Sequence, residues 1–298
     1  MTTRIGDATH FRHLQAMMAE VRGRIERAQA QVASGRRGEA FVEVADRADV
    51  LVEVRRAGTL LASRLEDNRD VLARMRVADG ALADITDLAV RARELLVRRL
   101  GDTNRDMPLE TELRSILERV AARLNVRYGD RHLFAGSLGD RPPVAIPEPP
   151  PTVTDPTLYY RGDSLAPEIP VDEEVLLRIA PTAGDEPFAR LVAALGRAIE
   201  AHAAGDRSGL ETALDQLDLA VDGLAELRGA HGARMARLEA LIDRQEGARS
   251  YLDEVRSRLE AVDLPETMAR LARDRATLEA SYMLTARLAQ LSLLDFLR

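Results

Sequence analysis

The 298-residue chain contains no cysteine, no tryptophan and no lysine. Without cysteine it forms no disulfide, carries no thiol nucleophile and holds no thiolate metal site. Aromatic residues are 3% of the chain, too few for a large compact core, which draws on them for buried area; narrow helix–helix seams do not need them. No apolar run is long enough to span a bilayer. No apolar stretch follows Met1-Thr2-Thr3-Arg4-Ile5-Gly6-Asp7 to complete a cleavable secretory signal. Glycines do not fall in a phosphate-cradling or dinucleotide pattern, and no spacing of Ser, His and Asp suggests a nucleophilic triad. The net charge of −7 argues against a nucleic-acid partner, which calls for a basic face. Arginine without lysine is what a GC-rich genome produces.

What is present is helical in character. Charged residues are 31% of the chain, and Ala, Leu, Arg and Glu dominate, as in long helices and coiled coils. Near the start, Phe11, Leu14, Met18, Val21, Ile25, Ala28 and Val32 recur three and four residues apart, the rhythm of a coiled-coil seam. Near the end, Leu264, Met268, Leu271, Leu278, Leu288 and Leu291 follow a looser version, and Leu294 and Phe296 carry it almost to the last residue. Chain ends ordinarily fray; an apolar stripe on each end predicts that another helix covers it.

Between the ends, the periodicity predicts a first helix over about 5–34, closed by Ser34-Gly35, and a second over about 43–100. The second has a long seam through Leu51, Val54, Gly58, Leu61, Leu65, Asn68, Leu72, Met75, Leu82, Ile85, Ala89, Ala92 and Leu96. A third helix is expected over about 107–127. Proline then excludes helix at Arg141-Pro142-Pro143 and Pro147-Glu148-Pro149-Pro150-Pro151. Short β-like pieces surround these prolines at His132–Ala135, Leu158–Tyr160 and Val175–Ile179. Helix resumes at about 186–203 and again at about 209–261, with Leu210, Leu214, Leu217, Val221, Leu224, Met235, Leu238, Ile242, Leu252, Val255 and Leu259 in its seam. Asp263 and Pro265 suit the cap and first turn of a last helix.

The expected fold is mainly α: a long antiparallel helical rod or coiled coil, with a small β-containing insertion between its N- and C-terminal helical halves. The expected division is a terminal coiled-coil assembly domain of residues 1–42 and 262–298, a helical rod domain of 43–136 and 186–261, and an insertion of 137–185. Glu or Asp stands four residues before Arg at Glu20–Arg24, Asp70–Arg74, Glu94–Arg98, Glu110–Arg114, Glu254–Arg258 and Glu266–Arg270. Each such pair adds about 0.2–0.5 kcal/mol and chiefly solvates thin helices.

The candidate chemical sites read more simply as structure. His10 and His13 share a helix face, but no carboxylate or cysteine completes a metal site, so no metal and no cofactor is expected. Arg161-Gly162-Asp163 has the form of an adhesion tripeptide and also of a β-turn, for which Gly-Asp is suited. Asn68 either sets register within an apolar seam or faces solvent.

Several strings, in order, resemble the bacterial flagellin superfamily, and within it the hook–filament junction branch. Gln29-Ala30-Gln31-Val32-Ala33-Ser34-Gly35-Arg36-Arg37 is similar to the motif that ends the family's first helix. His132-Leu133-Phe134-Ala135-Gly136 and Tyr160-Arg161-Gly162-Asp163 resemble two motifs of the junction branch. Arg228 to Arg234, Ala280-Ser281-Tyr282 and Ser292-Leu293-Leu294-Asp295-Phe296-Leu297 match the C-terminal half. The family's usual Asp-Asp-Pro is missing at Val44–Asp49.

The resemblance implies a non-enzymatic structural subunit of the flagellum, placed outside the cell by the flagellar type III apparatus without a cleaved signal peptide. It implies a homo-oligomer that contacts other axial proteins, namely a second junction protein and flagellin, and an export chaperone on the C-terminal helix. Nucleic-acid binding and membrane insertion are not expected. The terminal helices are expected to be marginal alone and to order on assembly. The alternatives are a filament flagellin, a type III secreted tip or translocator protein, and a coiled-coil adaptor.

Overall fold

A computed structural model of the chain describes residues 2–37, 48–101 and 108–296, with side chains over 12–37, 48–101 and 108–287. The chain is mainly α. Its elements are α1 (Thr2–Ser34), α2 (Ala48–Gly101), α3 (Leu109–Leu124), β1 (Arg127–Tyr128), β2 (Arg131–His132), β3 (Glu168–Asp172), β4 (Val175–Arg178), α4 (Glu186–Ala204), α5 (Arg207–Glu260) and α6 (Leu264–Phe296). The expected helical residues 43–47 lie outside the described residues. Two compact units form, Met1–Thr59 with Arg249–Arg298, and Leu60–Ala248.

In the second unit, α2 and α5 run antiparallel. Arg69, Arg76 and Asp79 of α2 pair with Glu246, Glu239 and Arg228 of α5, so partners descend as the α2 number rises. Along α2, Leu65, Asn68, Leu72, Met75, Ala78, Leu82, Ile85, Ala89, Ala92 and Leu96 are buried, at steps of three and four residues. Facing them, α5 turns inward Leu217, Ala220, Leu224, His231, Leu238, Leu241 and Gln245. The buried His231 and Gln245 fall in the two gaps, between Leu224 and Met235 and between Ile242 and Leu252, that apolar residues alone left in the expected seam.

These polar residues are bonded. The Asn68 amide donates to Gln245 Oε1 and to the Val171 carbonyl of β3, both at 2.9 Å. Asn68 is 2% exposed, so of its two readings the structure selects the buried one. It ties the seam to the β3–β4 hairpin, whose Val171, Leu177 and Ile179 pack with Leu72, Met75, Leu238 and Ile242. His231 Nε2 lies 2.9 Å from the Met75 carbonyl, whereas its Nδ1 is buried without a hydrogen-bond partner. The ring is therefore a neutral Nε2–H tautomer.

A second core joins α2 and α5 to α3 and α4. Phe188, Leu191, Val192, Leu195 and Ile199 of α4 are all buried, as expected of a helix that is apolar nearly all round.

The two junction-type strings form one object. Phe134 meets Phe188 edge to face, with centroids 6.2 Å apart. Ser137 follows, donating its N–H to Asp163 Oδ1 at 2.8 Å and its hydroxyl to Oδ2. Leu165 N–H donates to the same Oδ1 at 3.2 Å, and the Tyr160 hydroxyl donates to the Asp163 carbonyl at 2.6 Å. The Ser137 hydrogen bonds hold the Asp163 carboxyl below the usual carboxylate range. Burial, then the charge of Asp163, pushes the Tyr160 hydroxyl up to about 12. The carboxylate of Arg161-Gly162-Asp163 is thus engaged by Ser137 of the other string and by Leu165 of its own turn. Gly136 has φ +70°, and a Cβ there would collide with the Asp163 carboxylate and carbonyl.

Several expectations about local structure are corrected. Of the β-like piece His132–Ala135, only His132 lies in a strand, β2. The third helix ends at Leu124, because the Asn125 amide pairs with both the N–H and the carbonyl of Val144, each at 2.9 Å. Leu158–Tyr160 is not a strand: Pro156–Leu158 is a 3₁₀ turn capped by Asp155, and Tyr160 makes a single bridge to Val144. β3 went unforeseen because it contains Pro170, which is tolerated at a two-stranded edge beside the register shift that the hairpin shows between Pro170 and Asp172.

Gly136→Ala should cost more than about 2 kcal/mol, because backbone strain and collision add. Gly129→Ala, at φ +57° with open space around it, should cost about 1 kcal/mol. Chemical denaturation of the two variants checks the order. Burial also lowers the pKa of His231, opposed by the bond to Met75. An imidazole kept neutral in the fold adds stability that is present above the unfolded value of about 6.5 and lost as pH falls below it. The thermal midpoint should therefore drop between pH 7.5 and 5 more steeply for the wild type than for His231→Gln; equal slopes would assign the effect elsewhere.

Candidate assembly interface

The first unit is built on α1 and α6. Gly35, at φ +70°, ends α1 in a left-handed cap, a geometry that favours glycine, with its N–H bonded to the Gln31 carbonyl at 2.9 Å. Asp263 caps α6, accepting from Glu266 N–H at 3.0 Å. The two helices lie antiparallel. Arg36 bridges Ala261 at one end, Arg24 reaches Asp274 at 3.2 Å farther along, and Arg22 Nε donates to the Tyr282 hydroxyl at 2.8 Å beyond that.

On α1 the expected seam is the buried one. Val21, Ile25 and Ala28 are buried, and Leu14, Met18 and Val32 are half-buried. On α6 the inward stripe differs from the expected one. Thr267 is buried, and Leu271, Asp274, Leu278, Ser281 and Thr285 are half-buried at four- and three-residue steps. Leu264 and Met268 are 40% and 55% exposed. They belong to a ridge of Leu264, Met268, Ala272, Ala276, Ala280 and Leu284, spaced by four, all exposed. Such i±4 ridges, small in the middle and large at the ends, fit the grooves of another helix. The side chains of Phe11, Leu288, Leu291, Leu294 and Phe296 lie outside the described residues.

Beside the pair is a group of residues that apolar periodicity could not reveal. Arg37 N–H donates to the Glu260 carbonyl at 2.8 Å, and Val262 N–H to the Gly35 carbonyl at 3.1 Å. Gln31 Nε2 donates to the Arg37 carbonyl at 2.6 Å. The Glu260 side chain is 7% exposed, with Oε1 2.7 Å from Arg55 and Oε2 3.8 Å from Arg36. The Gln-Ala-Gln-Val-Ala-Ser-Gly-Arg-Arg string thus ends α1 and splices it to the α5–α6 joint. Five of the six expected i,i+4 ion pairs form, including Glu20–Arg24 and Glu266–Arg270.

This is a flagellin-type helical fold, and the comparisons with known proteins bear that out. Residues 214–297 match the bacterial flagellin C-terminal helical region, which takes in all but the start of α5 and the whole of α6. No curated protein matches the sequence. Among solved structures of like fold are flagellar hook-associated proteins. FlgL of Bacillus cereus aligns at 17% identity and TM-score 0.52, covering 72% of this chain and 100% of that one. A flagellar hook-associated protein of Vibrio parahaemolyticus aligns at 13% identity and TM-score 0.60, covering 73% and 99%. Hook-associated protein 3 of Legionella pneumophila aligns at 12% and 0.52, covering 68% and 96%. At these identities the likeness is one of fold.

Ile25→Ala should lower the stability of the α1–α6 pair by about 2 kcal/mol through cavity formation. Met268→Ala should change it by no more than about 0.5 kcal/mol, because its side chain touches solvent. Hydrogen exchange along α1 and α6 in the two variants distinguishes them; equal losses would show that the ridge is already covered.

Proposed function

We propose that this chain is a structural, non-enzymatic subunit joining hook to filament in a bacterial flagellum. Its flagellin-type fold supports that reading, and one observation carries it: α6 presents an apolar ridge outward while its inward stripe is largely polar. A helix serving only its own chain would be arranged the other way round. The terminal pair is the proposed assembly element, comprising Phe11, Leu14, Met18, Val21, Ile25, Ala28 and Val32 with Leu264, Met268, Leu271, Leu278, Leu288, Leu291, Leu294 and Phe296; of these, Leu264 and Met268 lie on the outward ridge, whereas Leu271 and Leu278 face inward. Residues 1–42 and 262–298 act as the assembly domain, 43–136 and 186–261 as the helical body, and 137–185 as the insertion.

Assembly makes a homo-oligomer that contacts a second junction protein on one side and flagellin on the other. The subunit reaches the cell exterior through the flagellar type III apparatus, guided by N-terminal residues that are not cleaved. An export chaperone covers the α6 ridge until secretion. Among the described residues no helix is long and apolar enough to cross a membrane, which weighs against a translocator that inserts through helices.

Deleting the gene should leave hooks without filaments, with flagellin lost to the medium, when cells and medium are viewed by electron microscopy. Normal filaments would overturn the proposal. The match to a flagellin region keeps a filament subunit as the second reading, which growth of the purified protein into long filaments would favour.

A further inference from the structure

We infer that Glu260 is a positioning residue for the assembly surface: its buried carboxylate clamps the α1 end to the α5–α6 joint and so sets how the terminal pair is presented. The inference rests on the assembly reading above. Three stretches of chain converge on this side chain. Arg36 follows α1, Arg55 lies in the second turn of α2, and Glu260 is the last residue of α5. The backbone bonds from Arg37 to Glu260 and from Val262 to Gly35 flank it. No other described carboxylate is both this enclosed and shared between two guanidinium groups.

The clamp is asymmetric, and that makes it testable. The Glu260 side chain is 7% exposed, whereas those of Arg55 and Arg36 are 40% and 66% exposed. Removing the carboxylate lets two arginines return to water. Removing Arg55 leaves a buried carboxylate with only the longer contact to Arg36, and stranding a buried charge is the costlier change. Arg55→Ala should therefore open the joint more than Glu260→Ala. The double variant should recover part of what Arg55→Ala loses, because the stranded charge is gone. A purely additive packing role predicts that the double variant is the worst of the three.

Hydrogen exchange of the Arg37 and Val262 amides in the free, full-length chain reads the joint directly. Exchange should be at least tenfold faster in Arg55→Ala than in wild type and intermediate in the other two, with the β3–β4 amides unchanged. In cells lacking the gene, the plasmid-borne wild type should restore filaments. Arg55→Ala should be secreted yet restore fewer, and the double variant more than Arg55→Ala. Exchange in the double variant equal to or faster than in Arg55→Ala would overturn the inference, as would full filament growth with Arg55→Ala. If the wild type fails to restore filaments, it is the junction reading that fails, while the exchange order still decides the role of Glu260.

Discussion

A long helix buries only one stripe against one partner, and every other feature of this chain follows from how its stripes are allotted. In the Leu60–Ala248 unit the α2–α5 seam takes one stripe from each helix, along α2 at steps of three and four residues. Asn68, Gln245 and His231 interrupt it with polar atoms. An apolar seam without such residues tolerates sliding by a heptad; a buried amide pair does not, because a shifted register strands its donors. The same Asn68 bond holds Val171 of β3, so the hairpin takes its place from the register of the seam. A second stripe of α2 and α5 packs against α3 and α4, where the buried Phe134, Tyr159 and Phe188 also lie.

The terminal pair is allotted differently. α1 directs its aliphatic stripe inward, but α6 meets it with Thr267, Asp274, Ser281 and Thr285 among its inward residues. Apolar surface that could have strengthened the pair points outward instead. The exposed ion pairs along these helices add little, since each exchanges hydration for a screened attraction. Glu260 is different in kind, being enclosed and held by two arginines beside backbone bonds. The pair is thus joined by a partly polar inner face, spliced at one end by the Glu260 group, and edged on its outside by an apolar ridge.

Much of this was legible in advance. Helix number, their approximate bounds, the α1 and α2 seams, the Asp263 cap and the place of the β-containing segment follow from periodicity, proline and capping chemistry, all of which act within a few residues. The misses have two kinds of cause, local disguise and long-range contact. Pro170 hid a strand, and the 3₁₀ turn at Pro156–Leu158 sits among residues of β character. Asn125 ended α3 through a contact with Val144, nineteen positions away, that no window would contain. The two junction-type strings were visible separately, yet nothing in either announces that Ser137 and Asp163 bond to each other.

The sequence by itself determined that this is a chain of long amphipathic helices around a small β-containing insertion, and which face of α1 is apolar. Those properties depend on the order of neighbouring residues. Tertiary structure alone decided that α6 turns its more polar stripe inward and its Leu264-to-Leu284 ridge outward, that His231 and Gln245 belong to a seam, and that Glu260 lies between Arg55 and Arg36. The α6 sequence offers both stripes, and its local pattern is the same whichever one is covered. Only the position of the partner, fixed by contacts more than two hundred residues apart in the chain, distinguishes them.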